Sequence, residues 1–266
     1  MEPRTLARRM NELAAFLGTR DVPRLSQAAL EARLGSPRAD VMALFGGSIL
    51  AGGDVLAEAM RADVAERYVI VGGAGHTTET FRRRARELCP DLDFPDDAPE
   101  ADVFAAYLEA RHGLRADLLE RRSTNCGNNI TYLLDLLHGN GIWPRSAILS
   151  QDATMQRRMA AKLEREAPDI APVSFATYSV EVVAQEGASL GVGYADAPLG
   201  MWDVERYLAL LMGEVPRLAD DEHGYGPRGA GHLAHVDIPR SARDAFEELR
   251  GAYPQAVRTA NPRFAS

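Results

Sequence analysis

The chain has 266 residues, of which 46% are hydrophobic and 26% are charged, a composition typical of a globular protein. Its formal net charge of −8 disfavours nucleic acids and anionic membrane surfaces as partners, whereas a cationic or zwitterionic small molecule meets no such barrier. Apolar runs fall short of the roughly 18 residues of a spanning helix, and MEPRTLARRMNELAAFLG lacks an export signal, so we expect a cytoplasmic protein without a membrane partner.

Hydrophobic periodicity predicts helices and short strands in alternation. Residues 1–36 have leucine and methionine at helical spacing, with Gly18 as a stop. Short apolar runs predict strands at residues 39–47, 68–71, 116–120, 146–151 and 171–180. Amphipathic helices are predicted between them, at residues 54–66, 80–89, 101–114 and 152–166, with a further helix beginning near residue 126.

The linking segments and the C-terminal third complete this prediction. Asp54 is available to cap the helix predicted at 54–66, and the acidic, proline-rich residues 91–100 predict an exposed loop. Residues 186–200 look loop-like, and two amphipathic helices follow, separated by the turn cluster HGYGPRG at 223–229. We therefore predict a Rossmann-like, doubly wound, mostly parallel α/β sheet with a smaller helical C-terminal region. The predicted segments are a helical lead-in at 1–37, the α/β domain at 38–182 and the helical region at 183–266.

Three polar strings each follow a predicted strand and open a predicted helix: GGAGHTT (72–78), STNCGNN (123–129) and QDATMQRR (151–158). Strand ends of this kind lie on one edge of a parallel sheet, so we expect the three strings to converge on one crevice. In the first string, Gly73 and Gly75 match part of a dinucleotide fingerprint, but Thr78 replaces its third glycine, which disfavours NAD. The string predicts a backbone nest with threonine hydroxyls facing a ligand; the alternative is a tight turn.

The second and third strings carry features of anion-binding helix starts. Ser123, Thr124 or Asn125 is expected to cap a helix whose free N–H groups attract a carboxylate or phosphate. Asp152 is expected to cap the next helix. Arginine near a helix N-terminus opposes the helix dipole, so Arg157 and its neighbour require either a bound anion or an internal acidic partner.

Several other residues admit two interpretations. His76 is a candidate acid or base, or a donor to a loop carbonyl, and Cys126 is more readily explained as a small residue near a turn than as a nucleophile. His232 and His235 with Asp237 imitate a metal-binding set, but their spacing is not that of a known zinc motif, so no metal site is expected.

Four strings resemble YdcF-like proteins of the bacterial SanA/ElyC/YdcF family: STNCG (123–127), TMQRR (154–158), WDVERYL (202–208) and HGYGPRG (223–229). The resemblance extends from about residue 39 to about residue 239. It implies a Rossmann-like parallel domain with a smaller helical part and binding of S-adenosyl-L-methionine. Two residues depart from the family pattern: Asn128 stands where an acidic residue is usual, and Ala153 where proline is usual.

The prediction is that the chain binds S-adenosyl-L-methionine, with the possibility of a transferase reaction left open and with His76 and Asp152 as catalytic candidates. One alternative is an enzyme for a phosphorylated or nucleotide substrate, with Arg157 or Arg158 clamping phosphate; another is a non-catalytic metabolite sensor. The candidate cofactor-binding residues are Gly46, Gly47, Ser48, Gly73, Gly75, His76, Thr77, Thr78, Ser123, Thr124, Asn125, Asn128, Asn129, Gln151, Asp152, Thr154, Gln156 and Arg157.

Overall fold

The computed structural model describes residues 1–75 and 78–257. In this part of the chain, five parallel strands form one sheet of order β3-β2-β1-β4-β5. The predicted Rossmann-like α/β fold is thereby confirmed. The strands are β1 Ala39–Phe45, β2 Ala65–Val71, β3 Leu118–Glu120, β4 Ser146–Ser150 and β5 Ala171–Ser174, followed by a separate antiparallel pair, β6 Val182–Ala184 and β7 Val192–Tyr194.

Within the same residues, nine α-helices connect and cover the strands. None of these helices combines the length and the apolar character needed to cross a lipid bilayer. The helices are α1 Pro3–Leu17, α2 Gln27–Leu34, α3 Ala51–Arg61, α4 Thr78–Leu88, α5 Glu100–His112, α6 Cys126–Gly139, α7 Gln156–Glu166, α8 Val204–Leu218 and α9 Arg240–Ala252.

Helices cover both faces of the sheet. On one face, Leu44 of β1 belongs to the same buried cluster as Leu56 of α3 and Phe104 of α5. On the other face, Phe45 of β1 belongs to a cluster with Ile130 of α6 and residues of α7. Burial on both faces explains why β1 is a nearly continuous apolar run rather than an alternating one.

A third buried cluster joins the first helix to the last two. Leu13 of α1, Leu211 of α8 and Leu249 of α9 are each fully buried in it. At its rim, Arg9 Nε of α1 donates to Glu248 Oε2 of α9 at 2.7 Å, across 239 positions of sequence. The lead-in helix and the C-terminal helices therefore pack on one another beside the sheet.

Three local predictions are corrected by the structure. Helix α3 begins at Ala51 after Leu50, so Asp54 does not cap it and instead accepts hydrogen bonds from Tyr107 and His112 in α5. The segment 91–100 is not simply an exposed loop, because it buries apolar side chains such as Phe94 against the α3–α5 face. Part of the predicted loop at 186–200 forms β7, which pairs with β6.

Replacing Leu13 with alanine should destabilise the protein by about 2–5 kcal/mol, because it leaves a cavity in the α1–α8–α9 cluster. Replacing Arg8, whose side chain is mostly exposed on the same helix, should change the free energy of unfolding by no more than about 0.5 kcal/mol. Urea unfolding followed by circular dichroism measures both. If both substitutions changed the free energy of unfolding by only about 0.5 kcal/mol, the packing of Leu13 in this cluster would not stabilise the protein.

Candidate functional site

The direction of strand succession reverses between β1 and β4, which are neighbours in the sheet but not in sequence. In open α/β sheets such a switch point opens a crevice at the carboxyl edge, where ligands bind. Here the two strand ends are joined directly, since Gln151 Nε2 donates to the carbonyl oxygen of Gly46 at 3.0 Å. We call the space above β1, β2 and β4 at this edge the switch-point crevice.

A buried carboxylate, that of Glu100 at the start of α5, ties together the loops after β1 and β2. Glu100 Oε2 accepts the N–H of Gly47 at 2.5 Å, and Oε1 accepts the hydroxyl of Thr78 at 2.9 Å. The fit is close: a side chain at Gly46 would lie 2.3 Å from Glu100 Oε2 and 3.2 Å from the Cα of Gly72. Glycine at position 46 is therefore required by the packing of these loops.

The first and second polar strings contact each other. Gly73 donates its N–H to Ser123 Oγ at 3.0 Å, and a side chain at Gly73 would meet the Ser123 carbonyl oxygen at 2.1 Å. A side chain at Gly75 would meet the Thr124 carbonyl oxygen at 2.9 Å. Below them, Glu120 at the end of β3 accepts the backbone N–H groups of residues 122 and 123. Close contact between the loops therefore explains why glycine occupies positions 73 and 75, and no bound ligand is needed to explain it.

Helix α6 begins at a reciprocal capping box. Of the three residues predicted for the cap, Asn125 holds the position, and its side chain accepts the N–H of Asn128 at 3.0 Å. In return, Asn128 Oδ1 accepts the N–H groups of Thr124 and Asn125 at 3.0 and 3.1 Å. Asn129, one residue further along, is buried. The amide residues of this string therefore serve first to start the helix at the edge of the crevice.

The third polar string forms a buried wall rather than a row of exposed donors. Gln156 accepts the N–H of Gln151 at 2.8 Å and donates to the Leu149 carbonyl at 3.0 Å. Gln151, Thr154 and Gln156 are all fully buried. Beside them, Ser48 and Thr177 share a hydrogen bond of 2.8 Å between their hydroxyl groups. These side chains fix the geometry of the β1 and β4 ends.

The two arginines of this string have protein partners. Arg157 contacts α1: it donates to the Phe16 carbonyl, and its guanidinium lies 4.5 Å from the centre of the Phe16 ring. Arg158 forms two hydrogen bonds with Glu214 of α8, at 2.6 and 3.0 Å. For Arg158 the structure thus has the internal acidic partner, one of the two alternatives that the sequence left open.

Asp152 lies at the centre of a buried polar cluster and does not cap α7, which begins after Met155. Its carboxyl group accepts the N–H and the hydroxyl of Thr154, the Tyr178 hydroxyl at 2.8 Å and the Trp202 indole N–H at 2.8 Å. Burial raises the pKa of Asp152, and the hydrogen bonds from Thr154, Trp202 and Tyr178 oppose that rise.

Several residues of this cluster and of the loops were missed by the sequence analysis. Glu100 stood in a stretch that looked exposed and acidic, and nothing local distinguishes it from the aspartates beside it. Tyr178 lay within a predicted strand. Trp202 was visible only as part of the string WDVERYL, which gave no hint of its bond to Asp152.

His76 and Thr77 lie outside the described residues, as does the side chain of Cys126, so the acid–base role suggested for His76 stays a prediction.

His235 forms hydrogen bonds with Asp220 and Asp237 at 2.7 and 3.1 Å. Across residues 1–75 and 78–257, no group of three or more His, Cys, Asp or Glu side chains is arranged to hold a metal ion.

No protein-family model matches the chain.

Asn128 provides a test of the capping box. Aspartate at this position keeps the acceptor oxygen for the Thr124 and Asn125 N–H groups, and its charge suits the first turn of a helix. We expect Asn128→Asp to leave the melting temperature unchanged or raised. Asn128→Ala removes both hydrogen bonds and should cost about 1–3 kcal/mol. Thermal unfolding of the two variants distinguishes them, and equal losses would contradict the importance of the box.

Asp152 should make stability depend on pH. Because its pKa is raised in the fold, its contribution is fully present below the ordinary value of 3.8 and is lost as pH rises through the folded-state pKa. Asp152→Asn removes this titration, although it loses hydrogen bonds at every pH. The wild type should therefore lose stability relative to this variant as the pH rises above 3.8.

Urea unfolding over that pH range measures the difference between wild type and Asp152→Asn. Asp169→Asn provides the matched control, since it makes the same chemical change at an exposed position and keeps Asp152. A parallel pH profile for wild type and Asp152→Asn would show that the Asp152 carboxyl group titrates as it does in an unfolded chain.

Proposed function

We propose that the chain binds S-adenosyl-L-methionine in the switch-point crevice. The observations that support this proposal are the contact between the first two polar strings and the contact of the third string with the loop after β1, next to the reversal of strand order. There the Gly46 carbonyl meets Gln151, and Gly73 meets Ser123. Small-molecule ligands of doubly wound folds bind at this place. The choice of S-adenosyl-L-methionine as the ligand comes from the resemblance to YdcF-like proteins.

The charge of the site favours a cationic or zwitterionic ligand over a phosphate ester. The buried acidic residues Glu100 and Glu120 lie at the strand ends, and the whole chain has a net charge of −8. S-adenosyl-L-methionine brings a sulfonium and an ammonium group, which such surroundings attract. A phosphate clamp would need free guanidinium groups, whereas Arg157 and Arg158 contact Phe16 and Glu214. The phosphorylated-substrate alternative is correspondingly weaker.

The start of α6 suits the carboxylate of the ligand's methionine part. The capping box fixes the helix start at the edge of the crevice, and an anion near a helix N-terminus gains about 0.3–1 kcal/mol, or up to about 2 when partly buried. The neutral Asn128 in the first turn, where related proteins usually have an acidic residue, adds no repulsion to this carboxylate. We infer that this difference makes α6 a better carboxylate site here.

Of the catalytic candidates, we infer that Asp152 acts as a positioning residue. Its carboxyl group is fully buried and receives hydrogen bonds from Thr154, Tyr178 and Trp202, so it holds those side chains at the end of β4. His76 remains the candidate for proton transfer. Group transfer and metabolite sensing are both compatible with this proposal, and prolonged incubation with S-adenosyl-L-methionine, followed by mass spectrometry, separates them.

Isothermal titration with S-adenosyl-L-methionine, S-adenosylhomocysteine and ATP tests the proposal. A matched pair of substitutions at Asn125 makes the test site-specific, because serine and aspartate both cap helices but only aspartate adds a negative charge. We expect Asn125→Asp to weaken the binding of S-adenosyl-L-methionine by about fivefold or more, since like charges at contact distance repel by about 1–4 kcal/mol. Asn125→Ser should change the affinity little.

The same titrations define what would contradict the proposal. Binding of ATP alone would favour the phosphorylated-substrate alternative. Equal affinities of the wild type, Asn125→Ser and Asn125→Asp would remove the α6 start from the site. Circular dichroism of each variant serves as the control for folding.

A further inference from the structure

A cavity lies between α1 and the segment 178–181 that follows β5. Its volume is about 310 Å³, which lies at the lower end of the range found for small-ligand sites. Small residues leave this space open, and two aromatic rings line it. The small residues are Ala14, Ala15, Gly18 and Ala153, and the rings are those of Tyr178 and Tyr207.

Tyr207 lines this cavity. The residue is only 1% exposed, and no hydrogen bond joins its hydroxyl to another group within residues 1–75 and 78–257. Burial raises the pKa of Tyr207, so the hydroxyl stays protonated and uncharged. A ligand in the cavity would supply the missing partner.

The charge at the cavity has one sign. Glu181 is the charged residue in its lining, and no basic side chain accompanies it there. In the part of the chain that the structure describes, Glu181 forms no ion pair. A cationic ligand therefore gains attraction at this cavity, whereas an anionic ligand would be repelled.

We propose that this cavity binds a small primary amine with an aromatic or apolar body. The body would pack between the alanines of α1 and the Tyr178 ring, and the ammonium group would donate to Glu181 and the Tyr207 hydroxyl. This site goes beyond the S-adenosyl-L-methionine proposal and does not depend on it. Tyr178 links the two regions, because it lines the cavity and donates to Asp152, which also accepts from Trp202.

Three probes of matched shape test the chemistry: benzylamine, benzyl alcohol and benzoate, titrated against the full chain by saturation-transfer NMR. We expect saturable binding of benzylamine, at least about tenfold tighter than benzyl alcohol, because hydrogen bonds to charged groups are the stronger ones. Benzoate should not bind. Failure of benzylamine to saturate at millimolar concentration, or equal binding of benzoate, would overturn the proposal.

Two tyrosine variants locate the site. Tyr207→Phe removes the hydroxyl in the cavity and should weaken benzylamine about tenfold while leaving the melting temperature unchanged or raised. Tyr194→Phe is the matched control, since the Tyr194 hydroxyl has no hydrogen-bond partner in the described residues and Tyr194 does not line the cavity. Equal benzylamine affinity in wild type and Tyr207→Phe would place the amine elsewhere.

Two further variants test the charge and the space. Glu181→Gln should abolish the preference for benzylamine over benzyl alcohol, and Ala14→Phe should fill the cavity and prevent binding of both. If Ala14→Phe fails to fold, the Tyr207 and Glu181 variants decide the matter. A preference for benzylamine that persists in Glu181→Gln would overturn the assignment of the ammonium group.

Discussion

The edge of the sheet depends on one buried carboxylate, that of Glu100. It receives the backbone N–H of Gly47 on one oxygen and the Thr78 hydroxyl on the other, while its own N–H donates to the Gly73 carbonyl. Loops after two neighbouring strands are thereby held at a fixed separation, as is the start of α5. Because a buried carboxylate is costly without donors around it, the loops and Glu100 define each other's positions.

The central α/β architecture could be predicted from sequence because its signals are local. The apolar run of β1 and the helical periodicity of α6 each follow from the burial of a face, and Asn125 is a residue type that caps helices. The placement of the three polar strings at one edge of the sheet also follows once the strands are parallel. These features require knowledge of each segment and of the strand order, but not of individual distant contacts.

The errors and omissions arise where distant contacts decide. Aspartate is a good helix-capping residue, yet neither Asp54 nor Asp152 caps a helix, because each accepts hydrogen bonds from distant residues. Asp54 accepts from Tyr107 and His112, and Asp152 accepts from Tyr178 and Trp202. Glu100 is distinguished from nearby acidic residues only by glycine-rich loops from two other strands. The short β6–β7 pair likewise has little local signal, since three-residue strands are near the lower limit of length.

The shared cluster of α1, α8 and α9 has a consequence for synthesis on the ribosome. Arg9 and Glu248 contact each other although 239 positions separate them, so α1 emerges long before the helices that cover its apolar side. The strands and α3 to α7 can collapse first, while Leu6, Met10 and Leu13 still face water. Until translation reaches α9, the nascent chain exposes this apolar surface, which chaperones can shield. Stalling of translation in the last quarter of the message would leave the surface uncovered and the chain prone to aggregation.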